Sequence, residues 1–410
     1  MSSSALDRRE LLALGAGSAA ALALRPLWAR AAAAAPAGER ALVVLELNGG
    51  NDGLNTLAPL GDELYRRLRP RLALARGDLL GLDRDIGLHP ALARTRTWFE
   101  RGSAAAIQQV GYPGPNLSHF HSLDVWHSAQ VTGARPACGW LGRWRDAQAG
   151  EEPLAMLAVG PGVLPYALRG RRVFAPSVAY LAAEPAPSDD RAQAQAYEAV
   201  LAAFETPAGT DDPELRHVRS HAALARESRR RLASAAGRRR GADYPTTRLG
   251  HDLALVADVL AAGLPLRVAH VVQPGYDTHV RQLQTHARLL AELDLAVDAF
   301  LTDLRSLGRL ERTLVLCTSE FGRRAAENGI GADAGTDHGA ASALLAFGGS
   351  LRPGLHGVPP DLERLDADGN LPHAVDFRQV YATVLERWLG TDAESLLGAR
   401  FEPVDLLPPS

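Results

Sequence analysis

Short apolar runs alternate along the chain with longer segments whose apolar residues recur at helical spacing. The runs are nearly continuous, a pattern typical of strands buried on both faces. They cover residues 41–47, 104–110, 154–159, 163–168, 266–272, 313–318 and 342–347, with helical segments at 89–99, 246–262, 280–307 and 376–389. This alternation predicts an α/β fold, a three-layer sandwich with a mostly parallel central sheet.

The pattern changes between about residues 180 and 245. Residues 184–190 and 206–213 are rich in Pro, Asp and small residues and resemble linkers, whereas 192–204 and 214–236 are Ala-rich and helical. We therefore predict a helical insertion at about 180–245 within one main domain that covers residues 40–405.

The first residues have the pattern of an export signal. Arg8 and Arg9 precede an apolar stretch at 13–24, and small residues at 31–35 provide a cleavage site. This order is typical of a twin-arginine signal peptide, predicted at 1–36, which directs a protein through the twin-arginine translocase to the periplasm or the medium. An uncleaved amphipathic anchor is the alternative. The apolar stretch is short for a membrane span, so no stable transmembrane anchor is expected.

Acidic residues and histidines lie beside the predicted strands, close to where the strands end. Because parallel strands share one carboxyl edge, where α/β proteins bind ligands, we expect these side chains to converge. The candidate metal ligands are Asp52, Asp277, His279, Glu320, Asp337 and His338. Carboxylates in such number need cations, and the mixture with imidazole suits zinc, manganese or calcium, as one or two divalent ions. For Asp52, a turn-forming role in Asn-Asp-Gly is an equal alternative.

A hydroxyl and several histidines follow the run at 104–110. Pro and Gly exclude regular structure up to Pro115, and from Ser118 the spacing becomes helical. Ser118 is either a helix N-cap or a nucleophile placed beside metal and helix dipole. We predict Ser118 and His119 as catalytic residues. The predicted substrate-binding residues are Asn51, Asn116, His121 and Arg323, although Arg323 also fits a structural ion pair.

Composition narrows the class of protein. The 410 residues carry a net charge of −3, so nucleic acid is not an expected partner. The arginine runs at 229–231 and 238–240 fit a solvated helix face. No G-x-G-x-x-G follows the first run, which argues against a dinucleotide site. Cys138 and Cys317 are expected to be buried thiols rather than a disulfide.

Several sequence blocks together resemble a known group of proteins. They are LNGGNDGLNT (47–56), NLSHFHSLDVWHSA (116–129), YDTH (276–279), TSEFGRR (318–324), ENG (327–329) and GTDHG (335–339). Their order resembles a twin-arginine-exported bacterial family of unknown function within the alkaline phosphatase and sulfatase superfamily. The resemblance implies an alkaline-phosphatase-like fold and places Asp52 with Glu320 at one metal site. Asp277, His279 and His338 would form the other site, and Ser118 would stand where the nucleophile is.

The chain also departs from the superfamily pattern. Where the superfamily has Ser-Asp-His-Gly, this chain has Ser319-Glu320-Phe321-Gly322, and Phe321 cannot ligate a metal. His119, His121 or Asp337 would have to take its place. The Cys/Ser-x-Pro-x-Arg signature of sulfatases is absent from residues 116–122, which disfavours a true sulfatase.

The resemblance and the residues predict an exported, metal-dependent hydrolase of phosphate or related esters. Its partner would be a small-molecule or polymer ester substrate. The alternative is a non-catalytic exported protein that keeps the fold and binds a metal or another ligand at a degenerate site.

Overall fold

The computed structural model describes residues 39–150, 152–160, 163–173, 175–179, 199, 212–239 and 241–409. Its centre is a nine-stranded sheet in the order β13-β5-β12-β9-β1-β8-β6-β7, with β14 also paired to β5. These strands are β1 (Ala41–Asn48), β5 (Ala104–Gly111), β6 (Met156–Val159), β7 (Ser177–Val178), β8 (Val268–Pro274), β9 (Thr313–Thr318), β12 (Ser342–Gly348), β13 (Gly354–His356) and β14 (Val375–Asp376). Of the described strands in this sheet, only β12 runs antiparallel to its neighbours, so the predicted mostly parallel sheet is confirmed.

Smaller strands and the helices surround this sheet. A three-stranded sheet contains β2 (Leu57–Pro59), β3 (Leu80–Gly81) and β4 (Ile86–Leu88), and β10 (Gly322–Arg323) pairs with β11 (His338–Gly339). The α-helices are α1 (Gly53–Thr56), α2 (Glu63–Leu68), α3 (Ala93–Glu100), α4 (His119–Ser128), α5 (Trp140–Asp146), α6 (Pro213–Ala233), α7 (Arg248–Ala261), α8 (Gln282–Ser306), α9 (Phe377–Thr383) and α10 (Ala393–Leu397). A π-helical segment, Val384–Trp388, directly follows α9.

The alternation of side chains along β1 explains the layers. Val43 and Leu45 point to a core that contains residues of α3, α7 and α8, whereas Leu42 and Val44 point to a core formed with α4, α5 and α9. Both faces of the sheet are therefore covered, which is why the strands are apolar without a polar face. The predicted three-layer α/β architecture is confirmed.

The direction of β12 brings an additional loop to the carboxyl edge of the parallel strands. Because β12 is antiparallel to β9, its first residues lie at the edge where β9 ends. The segment that precedes β12 includes His338 in β11, and it therefore reaches the same edge as the loops that follow β1, β5, β8 and β9. The loop thus connects β9 to β12 and lies at the edge where the sequence analysis expected its side chains.

Other expectations have mixed outcomes. The strand predicted at 163–168 is wrong, because a 3₁₀ turn at Tyr166–Leu168 stands there. Cys138 and Cys317 are buried and unpaired, as predicted.

Helix α6 falls within the predicted insertion, but most of residues 180–211 lies outside the described residues, as does the predicted signal peptide at 1–36. Among the described residues, no helix is both long and apolar enough to cross a membrane.

Candidate metal centre

Two histidines and one aspartate meet at the carboxyl edge of the sheet. His279 Nε2 lies 2.9 Å from His338 Nε2, and Asp277 Oδ1 lies 3.0 Å and 3.1 Å from these two nitrogens. Around a tetrahedral cation with bonds of about 2.1 Å, ligand atoms lie roughly 3.4 Å apart. The spacing of these three atoms therefore approaches that of a coordination shell.

The other ring nitrogen of each histidine is held by an acceptor. His338 Nδ1 donates to the Leu117 carbonyl at 2.7 Å, and His279 Nδ1 lies 3.3 Å from Asp337 Oδ1. An imidazole that donates from Nδ1 keeps the lone pair on Nε2, the form that binds a metal. Two Nε2 lone pairs at 2.9 Å repel each other unless a proton or a cation lies between them. The donor set therefore fits a divalent cation.

His119 completes the group from helix α4. Its Nε2 lies 3.5 Å from Asp277 Oδ2, and its Nδ1 lies 2.9 Å from Glu320 Oε1. Ligand atoms of His119, Asp277 and His338 all lie within 4.8 Å of one another. A carboxylate behind a histidine, as Glu320 is here, orients a ligating imidazole and raises its basicity. We call His119, Asp277, His279 and His338 the candidate metal centre.

Phe321 packs against this group. Its ring centroid lies 4.9 Å from that of His119 and 4.5 Å from that of His338, and the side chain is buried. The residue that cannot ligate thus supports two that can. Of the substitutes that the sequence left open, the structure brings His119 to the centre.

Local charges set the protonation of the centre. Burial acts to raise the pKa of Asp277, but the hydrogen bond from Arg323 and the contact with His338 outweigh it and lower that pKa to about 2. The hydrogen bond to Glu320 raises the pKa of His119, whereas burial lowers the pKa of His338. The aspartate is therefore ionised at neutral pH and offers a negative ligand.

Two predicted ligands, Glu320 and Asp337, contact histidines of the candidate metal centre from outside it. Glu320 is fully buried, and besides His119 it accepts a hydrogen bond from the backbone N–H of Gly49 at 2.8 Å. Asp337 accepts from Asn328 Nδ2 at 2.7 Å and faces the Nδ1 side of His279. Both carboxylates thus contact the ligating histidines on the side away from Asp277, and each would orient a ligand.

The structure does not bring Asp52 into the candidate metal centre. Asp52 Oδ2 lies 2.6 Å from Arg69 Nη1, both side chains are fully buried, and Gln282 also donates to Oδ2. Asp52 Oδ1 accepts from the backbone N–H groups of Leu54 and Asn55, so Asp52 caps helix α1. Both of its oxygens have protein partners, which matches the turn-forming alternative and differs from the pairing with Glu320 that the resemblance implies.

The predicted substrate-binding residues divide into buried and exposed pairs. Asn51 is buried and bonded to Thr56 and His286. Arg323 is buried, and its guanidinium donates to Asp277 and to carbonyl groups of Gly49, Gly50, Tyr276 and Thr336. Asn116 and His121 are exposed near the start of α4. The buried pair therefore supports the loops of the site, and only the exposed pair is accessible to a substrate.

Ser118 stands at the N-terminus of α4 between two residues that contact the centre. Leu117 binds His338 through its carbonyl, and His119 faces Asp277. Ser118 is exposed, and its side chain forms no capping hydrogen bond with the helix. Leu117 has a φ of 61°, a conformation that a non-glycine residue rarely adopts and that tends to occur at functional sites. The hydroxyl of Ser118 is thus exposed to solvent beside the candidate metal centre.

Sequence reasoning missed a second group of ligand-type side chains, namely Glu46, His127 and His270. The signal was present, because Glu46 is the one charged residue in the apolar run of β1. It also missed Arg69, the partner of Asp52, whose role no local pattern indicates.

Replacing Asp337 by asparagine is expected to weaken metal binding without removing a ligand. Asn accepts from His279 Nδ1 less strongly than a carboxylate does, so the affinity for Zn²⁺ should fall by about 10- to 100-fold. Titration against a chromophoric chelator measures the change. Asp333→Asn, an exposed substitution in the same loop, serves as the control. An unchanged affinity in Asp337→Asn would exclude the orienting role.

A known protein family matches most of the chain. The model of a family described as "Protein of unknown function (DUF1501)" matches residues 39–401. No curated protein matches the chain in sequence.

Solved structures that match include a phosphonate monoester hydrolase, a sulfatase and an alkaline phosphatase. The chain is 11% identical to a phosphonate monoester hydrolase from Silicibacter pomeroyi, with 88% of this chain and 76% of that chain covered and a TM-score of 0.38. The chain is 12% identical to a sulfatase from Pseudoalteromonas sp., with 88% of this chain and 68% of that chain covered and a TM-score of 0.35. It is 13% identical to an alkaline phosphatase from the Antarctic bacterium TAB5, with 77% of this chain and 94% of that chain covered and a TM-score of 0.32.

Proposed function

The chain belongs to the DUF1501 family of proteins of unknown function, and from its candidate metal centre we propose that it is a metal-dependent hydrolase of phosphate or related esters. The observation that carries the proposal is the convergence of His279 Nε2, His338 Nε2 and Asp277 Oδ1 within 3.1 Å of one another. Three imidazoles and one carboxylate suit zinc best among common divalent cations. We propose a single ion, because the oxygens of Asp52 are occupied by Arg69, Gln282 and helix α1.

The residues around the centre have distinct roles in this proposal. A bound cation would polarise the ester group and stabilise the negative charge that develops during its cleavage. The hydroxyl oxygen of Ser118 would attack the central atom of the ester group, the ester alcohol would leave with the hydroxyl proton, and a water would then release the group bound to Ser118. The free N–H groups at the start of the ten-residue helix α4 would bind the anionic part of the substrate. His119 would ligate and be held by Glu320.

An anionic ester fits this site better than a neutral one. A cation and a helix N-terminus both attract negative charge. Asn116 and His121 are exposed beside Ser118 and offer hydrogen bonds to the group that leaves. We further propose that the protein acts after twin-arginine export, in the periplasm or outside the cell, on a small-molecule or polymer ester.

Replacing Ser118 by alanine tests the proposal. Loaded with Zn²⁺ and assayed on aryl phosphate mono- and diesters, phosphonate esters and sulfate esters, the wild type is expected to hydrolyse at least one class. Ser118→Ala should lower kcat/KM by about 1000-fold or more while leaving the bound zinc unchanged, as when other hydrolases lose their nucleophile. Ser306→Ala, an exposed serine of α8, is the matched control. Absence of hydrolysis in every class by the zinc-loaded wild type would contradict the proposal.

One observation favours a second candidate function, a non-catalytic metal-binding protein. The side chain of Arg323, the arginine that the sequence predicts to bind the substrate, is fully buried and bonded to the protein itself. In that case the zinc content would match that of the enzyme proposal, and the wild type would hydrolyse none of the esters.

A further inference from the structure

Glu46, His127 and His270 form a second group of ligand-type side chains, which the proposed reaction does not use. Glu46 Oε2 lies 2.7 Å from His127 Nε2 and 3.5 Å from His270 Nε2, and the three ligand atoms lie within 4.8 Å of one another. The residues come from three separate elements, β1, α4 and β8. We call them the inner cluster.

The inner cluster lies within the core on one face of the sheet. Along β1 the side chains of Leu42, Val44 and Glu46 share the face covered by α4, and His270 shares it from β8 because it pairs with Val44. Glu46 is 6% exposed and His270 is 2% exposed. A carboxylate in such surroundings costs several kcal/mol unless charge and hydrogen bonds compensate it. Its presence in an otherwise apolar strand therefore requires a partner of opposite charge.

The protein itself supplies only part of that compensation. Asn48 donates to Glu46 Oε1 at 2.9 Å, and His127 contacts Oε2. The second nitrogen of His270, Nδ1, is buried and has no hydrogen-bond partner among the described residues. Nε2 is the nitrogen that faces Glu46, so the unpartnered Nδ1 shows that this imidazole is incompletely satisfied by the protein.

A small cavity opens between these side chains. It has a volume of about 10 Å³, and Glu46, His127 and His270 line it together with Thr318, Ser319 and Glu320. This volume accommodates about one water-sized particle and excludes an organic ligand. A single water or a monatomic ion fits this space, and a carboxylate beside two imidazoles favours a cation.

We propose that Glu46, His127 and His270 bind one divalent cation of the zinc type, at a site separate from the candidate metal centre. Two imidazoles and one carboxylate are an established donor set for such ions.

The two sites meet at Glu320. Glu320 lines the cavity of the inner cluster and accepts a hydrogen bond from His119 of the candidate metal centre. A cation in the inner cluster would thus stand on the side of Glu320 away from the proposed reaction and help to fix it. The role is that of a structural ion, which needs no open coordination position for substrate.

The decisive experiment removes the candidate metal centre first. In the full chain carrying His279→Ala and His338→Ala, elemental analysis after Zn²⁺ loading and gel filtration is expected to find about one cation per chain, bound by the inner cluster. Adding His127→Ala should remove that cation. His251→Ala, an exposed histidine on helix α7, is the control and should retain it. Circular dichroism verifies that each variant is folded.

A folded His279→Ala/His338→Ala chain without zinc would overturn the proposal, as would a triple variant that keeps it. If the double variant does not fold, His127→Ala alone decides. It should lower the zinc content of the otherwise unchanged chain from about two equivalents to about one, and an unchanged content would overturn the proposal. Neither result depends on hydrolysis, so a failure here is distinct from a failure of the proposed function.

Discussion

Replacing His338 by alanine is expected to abolish tight zinc binding at the candidate metal centre and any hydrolysis that depends on it. The substitution removes one nitrogen ligand and the hydrogen bond that His338 Nδ1 donates to the Leu117 carbonyl. Affinity for Zn²⁺ should fall by more than the 10- to 100-fold typical of losing an orienting partner. Because a cation contributes several kcal/mol and each 1.4 kcal/mol is tenfold in rate, kcat/KM should fall by about 1000-fold or more.

His356→Ala is the matched control for this prediction, since His356 is partly exposed and its Nε2 hydrogen-bonds to the Arg352 carbonyl, away from the candidate metal centre. Competition with a chelator of known affinity measures zinc binding, and hydrolysis of the best ester substrate measures activity. An affinity equal to that of the wild type in His338→Ala would contradict the assignment of this residue as a ligand.

Replacing Asp52 by asparagine is expected to destabilise the fold by about 3–5 kcal/mol, the range for removing one partner of a buried ion pair. The Arg69 guanidinium, fully buried, would lose its counter-charge and keep only neutral acceptors such as Asn55 Oδ1 and the Ala325 carbonyl. The zinc content of the folded protein should stay unchanged. Urea denaturation followed by circular dichroism gives the free energy of unfolding.

Asp85→Asn supplies the comparison, because it breaks the exposed pair between Asp85 and Arg84 at 3.0 Å and should cost about 0–1 kcal/mol. The two substitutions have the same chemistry and differ in burial. Loss of zinc in a normally stable Asp52→Asn variant would restore Asp52 as a metal ligand and argue for a second ion near it.

The sequence predicts the fold because its signals are local. Residues 41–47, 313–318 and 342–347 are apolar without alternation, which is sufficient to identify buried strands. The positions of Asp277, His279 and His338 follow from the same reasoning, since residues beside strand ends collect at one edge. The direction of β12 does not follow, because antiparallel pairing with β5 and β9 depends on partners far away in the chain.

The roles of individual site residues were harder to predict. Glu320 and Asp337 are carboxylates, which can ligate a metal. In the structure Glu320 contacts His119 and Asp337 contacts His279, so a histidine lies between each carboxylate and Asp277. Asp52 binds Arg69, 17 residues further along, and Gln282, 230 residues further along. The hydrophobic periodicity of the sequence does not indicate which of several carboxylates pairs with a buried arginine.

The buried guanidinium of Arg323 has a consequence for how metal would enter the site. Its donors bind carbonyls of Gly49, Gly50, Tyr276 and Thr336, so one side chain ties together the loops that follow β1 and β8 and the loop that precedes β12. The loops that carry the candidate ligands are therefore held in place by the guanidinium of Arg323, a cation that is part of the chain itself. Metal uptake at the candidate metal centre then needs little ordering of the backbone, and its affinity is governed by competition with protons at the imidazoles rather than by coupled folding.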